Sequence, residues 1–172
     1  MKIYLAQLNP TVGALKHNRA LITDAYRAGV EAGADLVMVP ELAVTGYPPR
    51  DLLEKPRFIE ANLKSRDALV AMTGRTALIF GCVTQNDSGY GKPIQNSAIV
   101  AQNGRLLLEQ HKTLLPTYDV FDELRYFEPA DAVAPIDLFG VKAGVAICED
   151  FWFEETIAGS RLYRLNPVES LI

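Results

Sequence analysis

The apolar positions of the chain fall in blocks whose period alternates. Lys2 to Leu8 is a short, largely apolar run that reads as a strand, broken by Asn9-Pro10 and Gly13. From about Leu15 to Ala32, residues Leu21, Ile22, Ala25 and Val30 lie near helical spacing, and Gly33-Ala34 ends that helix. Asp35 to Val39 is a nearly continuous apolar run, the pattern of a strand buried on both faces, and Pro40 stops it. Beyond a loop from Glu41 to Arg50, a second helix is predicted around Arg57 to Met72. Strands are predicted next over Ala77 to Thr84, Gln95 to Ala101 and Leu106 to Lys112. The turns between them are polar, Asn86-Asp87-Ser88-Gly89 and Gln102-Asn103-Gly104-Arg105, and Asn-Gly is a strong hairpin signal. Pro135 to Leu138 and Val141 to Ile147 read as strands on either side of a tight Phe139-Gly140 turn. The order predicts an α/β fold with antiparallel hairpins in its second half, with no internal repeat, low-complexity tract or domain linker.

Composition narrows the class. The 172 residues are 49% hydrophobic and 22% charged, and a chain of this length buries roughly 70% of its unfolded surface, enough for one sizeable core. A net charge of -4 with no Lys/Arg cluster argues against nucleic acid as a partner. The longest apolar runs, such as Leu78 to Val83 and Val141 to Cys148, are well short of the roughly 20 residues that cross a bilayer. Met1-Lys2-Ile3-Tyr4 opens into a strand pattern rather than a signal peptide. No membrane association is expected, and the predicted location is cytoplasmic. Cys82 and Cys148 have no spacing that suggests a disulfide framework or a zinc site, so both read as thiols and no metal is expected.

Three polar residues stand where an apolar run has just ended: Glu41, Lys112 and Cys148. Strand ends in α/β sheets combine a rigid scaffold with loop backbone that can bind. A thiol there supplies a nucleophile, a carboxylate can take its proton, and an ammonium can stabilise an oxyanion. Each also has a plainer reading: Cys148 as a small core residue, Glu41 as a turn acid, Lys112 as a solvated strand-end lysine. Cys82, inside Leu78 to Val83, reads as core, and His17 and His111 as solvated or structural. Spacing alone does not join the three.

Resemblance joins them. Three stretches resemble the three motif blocks of the nitrilase superfamily, in the right order. The first is Val39-Pro40-Glu41-Leu42 with Thr45-Gly46-Tyr47-Pro48-Pro49 and Asp51-Leu52-Leu53. The second is His111-Lys112-Thr113-Leu114-Leu115-Pro116 with Tyr118, Val120-Phe121-Asp122-Glu123 and Arg125-Tyr126-Phe127. The third is Ala146-Ile147-Cys148-Glu149-Asp150 with Trp152. The first and last are similar to one branch, the N-terminal glutaminase domains of glutamine-dependent NAD synthetases, and the likeness runs from Met1 to about Trp152. It implies an α-β-β-α sandwich. It also implies Cys148 as the nucleophile toward the side-chain amide of L-glutamine, Glu41 as general base, and Lys112 as oxyanion partner. By the same resemblance Glu123 orders the lysine and the site, Tyr118 and Phe121 line the substrate pocket, and Glu149 and Asp150 fix the turn after the cysteine.

The superfamily continues the same domain beyond the cysteine motif, and the synthetases add a second domain that uses ATP, Mg and deamido-NAD and receives the ammonia. On that resemblance, residues 1–172 are expected to be a partial carbon-nitrogen hydrolase domain, truncated on its C-terminal side, with no cofactor of its own and without the synthetase domain. Asn166-Pro167-Val168-Glu169 reads as a helix N-terminus with cap, proline at N1 and capping-box glutamate. Such a part alone is expected to be a poor glutaminase and to associate into homo-oligomers through uncovered edges. Two alternatives stay open at this point: a stand-alone amidase or carbamoylase of the superfamily, and an inactive interaction fragment.

Overall fold

A computed structural model describes residues 1–172 other than Glu155 and Ala158. Five strands form one sheet in sequence order: β1 (Ile3–Leu5), β2 (Leu36–Met38), β3 (Ala77–Gln85), β4 (Ile94–Gln102) and β5 (Arg105–His111). β1 and β2 run parallel with Ile3 opposite Leu36, and β2 and β3 run parallel with Leu36 opposite Ala77. The parallel crossovers contain α1 (Leu15–Glu31) and α2 (Pro56–Ala71), as parallel strands require. β4 and β5 are neighbours joined by Asn103 and Gly104, both at positive φ (53° and 71°), the conformation that a two-residue hairpin demands and that Asn-Gly supplies at least cost. The remaining strands make two antiparallel ribbons, β6 (Ile136–Leu138) with β7 (Val141–Ala143) and β8 (Thr156–Ile157) with β9 (Ser160–Arg161). The α/β class and the order of elements agree with the sequence pattern.

Two compact units result. The first comprises Met1–Thr84 and Ser97–Glu109, the second Gln85–Asn96 and Gln110–Ile172. In the first, α1 turns Asn18, Ile22, Tyr26 and Gly29 inward, a spacing of three and four residues that makes one helical stripe. Ile22 and Tyr26 pack with Val37, Val39, Leu69, Leu78, Phe80, Cys82 and Ile99 into one buried cluster. α2 begins with Pro56 at its first position and buries Asn62, Ser65 and Leu69. The Asn62 amide donates to the Val83 carbonyl at 2.6 Å and accepts from the Val83 N–H at 3.4 Å, so a polar side chain is satisfied inside the core.

Two strands are shorter than their apolar runs. β1 covers three residues of Lys2 to Leu8, because its partner β2 is itself three residues long and Pro40 follows soon after. β7 stops at Ala143 rather than Ile147. The reason is local: a Cβ built on Gly144 would lie 2.9 Å from Leu171 Cβ, so a side chain rather than a neighbouring strand covers the backbone there. The Asn166 side chain accepts from the Val168 N–H at 3.2 Å, and one 3₁₀ turn, Glu169–Leu171, follows it.

Candidate active site

In the first unit Glu41 lies just past β2, on a loop whose path is set by steric exclusion. The backbone of Glu41 and Leu42 crosses β3 at Gly81. A Cβ on Gly81 would lie 2.1 Å from the Leu42 nitrogen and 2.8 Å from the Glu41 Cα, closer than any side chain tolerates. Leu42 is fully buried and takes a φ of 47°, a left-handed conformation that persists only where the surroundings over-determine it. Here they do. The Leu42 carbonyl accepts from the Thr45 N–H (3.1 Å), the Gly46 N–H (2.8 Å) and the Thr45 hydroxyl (3.2 Å), and the Val44 N–H donates to the Gly81 carbonyl at 3.1 Å. Buried Asn18 donates from its amide to the carbonyls of Thr11 and Val44, fastening the loop to the start of α1. Glu41 itself is half-buried.

The second unit holds Lys112, Tyr118, Phe121, Glu123 and Cys148. Lys112 follows β5 directly, and its backbone is tied at both ends: its N–H donates to the Asn96 carbonyl at 2.8 Å and its carbonyl accepts from the Ala130 N–H at 2.9 Å. The side chain is not a solvated strand-end lysine. Only 1% of Lys112 is exposed, and its ammonium donates to Glu123 Oε1 at 2.9 Å. Glu123 opens α3 (Glu123–Tyr126), is itself 4% exposed, and accepts from the Asn96 amide at 3.3 Å on its other oxygen. Removing one partner of a buried ion pair is strongly destabilising, and the Glu123 contact holds the direction of the lysine side chain.

Cys148 begins a 3₁₀ turn, Cys148–Phe151, at a φ of 46° and is exposed to solvent. A cysteine at positive φ in an exposed turn is a strained position of the kind found at functional sites. It is not a core residue. Cys82 is: it is wholly buried, and burial, reinforced by the Glu109 carboxylate, pushes its thiol far above the ordinary cysteine range. The two residues after Cys148 do separate jobs. Glu149 accepts from the Tyr118 hydroxyl at 3.0 and 3.1 Å and from the Tyr163 hydroxyl at 2.7 Å. Asp150, 1% exposed, accepts from the N–H groups of Thr113 (3.0 Å), Leu114 (2.9 Å) and Ile147 (2.9 Å). Burial raises the Asp150 carboxyl above the usual range, while those three bonds and the nearby Lys112 ammonium pull it down.

The rings of Tyr118 and Phe121 meet edge to face at 5.7 Å. Tyr163 and the glycine at position 81 were not signalled as site residues by the motif blocks. An isolated glycine within an otherwise bulky strand is the one sequence cue that marks close backbone approach. Among the described residues no group of three or more His, Cys, Asp and Glu side chains is placed to hold a metal ion, and no helix is long and apolar enough to cross a membrane.

A thiol on a strained turn, a buried lysine–glutamate pair, and a glutamate on a loop clamped over a strand lie within the three motif blocks. A model of the carbon-nitrogen hydrolase family matches residues 2–162. The chain belongs to the carbon-nitrogen hydrolase family. Among curated relatives, a glutamine-dependent NAD(+) synthetase of Synechocystis sp. is 43% identical over 174 residues, covering 99% of this chain and 31% of that protein. One of Thermotoga maritima is 35% identical over 154 residues, covering 88% and 26%. The solved structure of a glutamine-dependent NAD+ synthetase from Acinetobacter baumannii in complex with ADP is similar with a TM-score of 0.79 and 38% identity, over 88% of this chain and 28% of that one. An amidase from Nesterenkonia sp. shares the fold, with a TM-score of 0.75 at 24% identity over 90% of this chain and 57% of that one. The carbon-nitrogen hydrolase chain described here thus spans less than a third of the length of the first two synthetases.

Proposed function

We propose that this carbon-nitrogen hydrolase chain is the glutamine amidohydrolase part of a glutamine-dependent NAD synthetase. In this reading the Cys148 thiol gives its proton to the Glu41 carboxylate and its sulfur attacks the side-chain amide carbon of L-glutamine. The carbonyl becomes an oxyanion beside the Lys112 ammonium. Collapse breaks the C–N bond, Glu41 returns the proton to the departing nitrogen, and ammonia leaves a thioester on Cys148. Water then attacks that thioester, with Glu41 taking its proton, to release glutamate and restore the thiol. Glu123 holds Lys112 in place, while Tyr118 and Phe121 line the glutamine pocket. The ammonia goes to ATP-dependent amidation of deamido-NAD, for which ATP, Mg and deamido-NAD belong to the synthetase part of such proteins, and no step on this chain runs through them.

The observation that carries most of this reading is the Lys112–Glu123 pair, almost wholly removed from water in the same unit as the exposed thiol of Cys148. A buried ammonium held by a carboxylate is a donor suited to an oxyanion, and an exposed thiol in the same unit is a nucleophile suited to generating one. The relatives named as glutamine-dependent NAD(+) synthetases support the substrate. The test, run on the whole protein that contains this chain, is ammonia release from L-glutamine, a simple nitrile and an N-carbamoyl amine, together with peptide mapping after a diazo-ketone analogue of glutamine. Preference for glutamine with modification at Cys148 and none at Cys82 is expected. Equal or faster release from the nitrile or the carbamoyl amine, or modification at Cys82 alone, would overturn it.

A further inference from the structure

We propose that Asp150 is a positioning residue that sets the distance between the Cys148 thiol and the Lys112 ammonium. The inference rests on the reading of Cys148 as nucleophile and Lys112 as oxyanion partner. One carboxylate holds two segments that are far apart in sequence. Its Oδ1 accepts from the Thr113 and Leu114 N–H groups, the two residues directly after Lys112, and its Oδ2 accepts from the Ile147 N–H, directly before Cys148. The O–C–O angle of a carboxylate is rigid, so two segments bonded to its two oxygens are held at one separation. The bonds are 2.9–3.0 Å, those to Leu114 and Ile147 buried and that to Thr113 part-buried, and N–H bonds to a carboxylate are charge-assisted, the strong class of hydrogen bond. The Asp150 N–H also donates to the Ile147 carbonyl at 3.0 Å, which closes the turn that keeps Cys148 at its φ of 46°.

A plain turn cap would need only the bonds to Ile147. The reach of Oδ1 to Thr113 and Leu114 lies outside any turn and has one effect, to index the lysine strand end against the cysteine. Asparagine at 150 keeps the shape but has a single acceptor oxygen, so it can hold one segment and must turn an N–H₂ group toward the other. The spacing is then free to drift, and a displacement of about 1 Å costs roughly 10² in rate.

The experiment, in the whole protein that contains this chain, compares Asp150→Asn, Lys112→Met and the double variant for glutamine turnover and for the rate of labelling by the diazo-ketone analogue, with Glu128→Gln as control. Glu128 is a carboxylate of the same unit that accepts from the Lys92 N–H at 2.8 Å and bonds neither segment. Asp150→Asn is expected to lower kcat about 10²-fold with KM within about threefold, and to cost less than tenfold when Lys112 is already Met, because the spacing matters only while the lysine is present. Glu128→Gln is expected to leave kcat unchanged. A folded Asp150→Asn protein with wild-type kcat and labelling rate overturns the proposal, as does a loss of equal size with and without Lys112. If Asp150→Asn does not fold, Asp150→Glu, which keeps both oxygens and the charge but lengthens the arm by one methylene, is read by the same two criteria. Full turnover in a Cys148→Ala protein would instead sink the underlying reading, so the two failures are separable.

Discussion

The loop that carries Glu41 and the turn that carries Cys148 are both held at positive φ, yet by different forces. The backbone of the Glu41 loop is fixed by steric and neutral contacts: a glycine that lets one backbone cross another, a buried leucine, and hydrogen bonds among amides and a threonine hydroxyl. In the unit that holds Cys148 the fixing contacts are charged: Asp150 on three N–H groups, Glu149 between two phenols, and Glu123 on Lys112. Steric exclusion does not respond to pH or salt, whereas a charged network fails as soon as one member is neutralised. In the proposed mechanism Glu41 must change its own protonation during turnover, which suits a loop fixed by the first kind of contact. Cys148 and Lys112, proposed as nucleophile and oxyanion partner, need a field as well as a place, which suits the second.

The largest effect that separates the two regions is expected at Glu123. Glu123→Ala removes the carboxylate at 2.9 Å from the buried Lys112 ammonium, and breaking a buried pair in this way costs about 3–5 kcal/mol. Denaturant unfolding should show that loss, and it should hardly change between low and moderate salt, because screening reaches buried charges weakly. Glu123→Gln keeps an acceptor for the lysine and should lose less. A cost under about 1 kcal/mol, the size of a surface pair, would mean that the pair does not organise this unit.

Next in size is Gly81→Ala. The added methyl meets the Glu41 and Leu42 backbone rather than the end of a flexible side chain, so the loop must move, and a shift near 1 Å at Glu41, the proposed general base, costs about 10² in kcat. Gly29→Ala is the matched control: its Cβ would lie 2.3 Å from Val37 Cγ2, a side-chain atom in the same core. Both substitutions should lower the melting temperature, but only Gly81→Ala should lower kcat at a temperature where both are folded. A similar kcat loss in Gly29→Ala would assign the effect to general loosening of the core.

The two regions also differ in how far the sequence reveals them. The apolar run at Asp35 to Val39, the helical spacing in Leu15 to Ala32 and the Asn-Gly turn foretell their elements closely, because each depends on residues adjacent in the chain. The motif blocks direct attention to Glu41, Lys112 and Cys148 for the same reason. What holds those residues depends on partners far along the chain. The burial of Lys112 needs Glu123, eleven positions on, and Asn96. Asp150 is readable as a turn residue from Ile147, three positions away, but its reach to Thr113 and Leu114 spans 37 and 36 positions. Gly81 looks like a small residue in an apolar strand until the Leu42 nitrogen is found against it. The run Val141 to Ile147 misleads in the opposite sense, since its apolar pattern continues past Ala143 while its strand pairing does not.

The smallest effect expected is at Tyr163, and it tests whether the charged region behaves as a network at high pH. Burial first, and then the hydrogen bond to the Glu149 carboxylate, push the Tyr163 phenol well above the ordinary tyrosine range, because a phenolate there would be desolvated and would face a carboxylate at 2.7 Å. The unfolded chain releases that proton near pH 10 and the folded chain holds it. The contribution to stability is therefore fully present below about pH 10 and is lost as the pH rises further toward the folded value. Tyr163→Phe removes the titrating group along with one donor to Glu149. At pH 7 it should cost about 1.5–3 kcal/mol, the worth of a hydrogen bond to a charged group. The gap between wild type and Tyr163→Phe should narrow as the pH is raised above 10, and ultraviolet titration of the folded proteins should show one late-ionising phenol fewer in the variant. If the gap stays constant with pH, the phenol is not shielded as its contacts require, and Glu149 is held by Tyr118 alone.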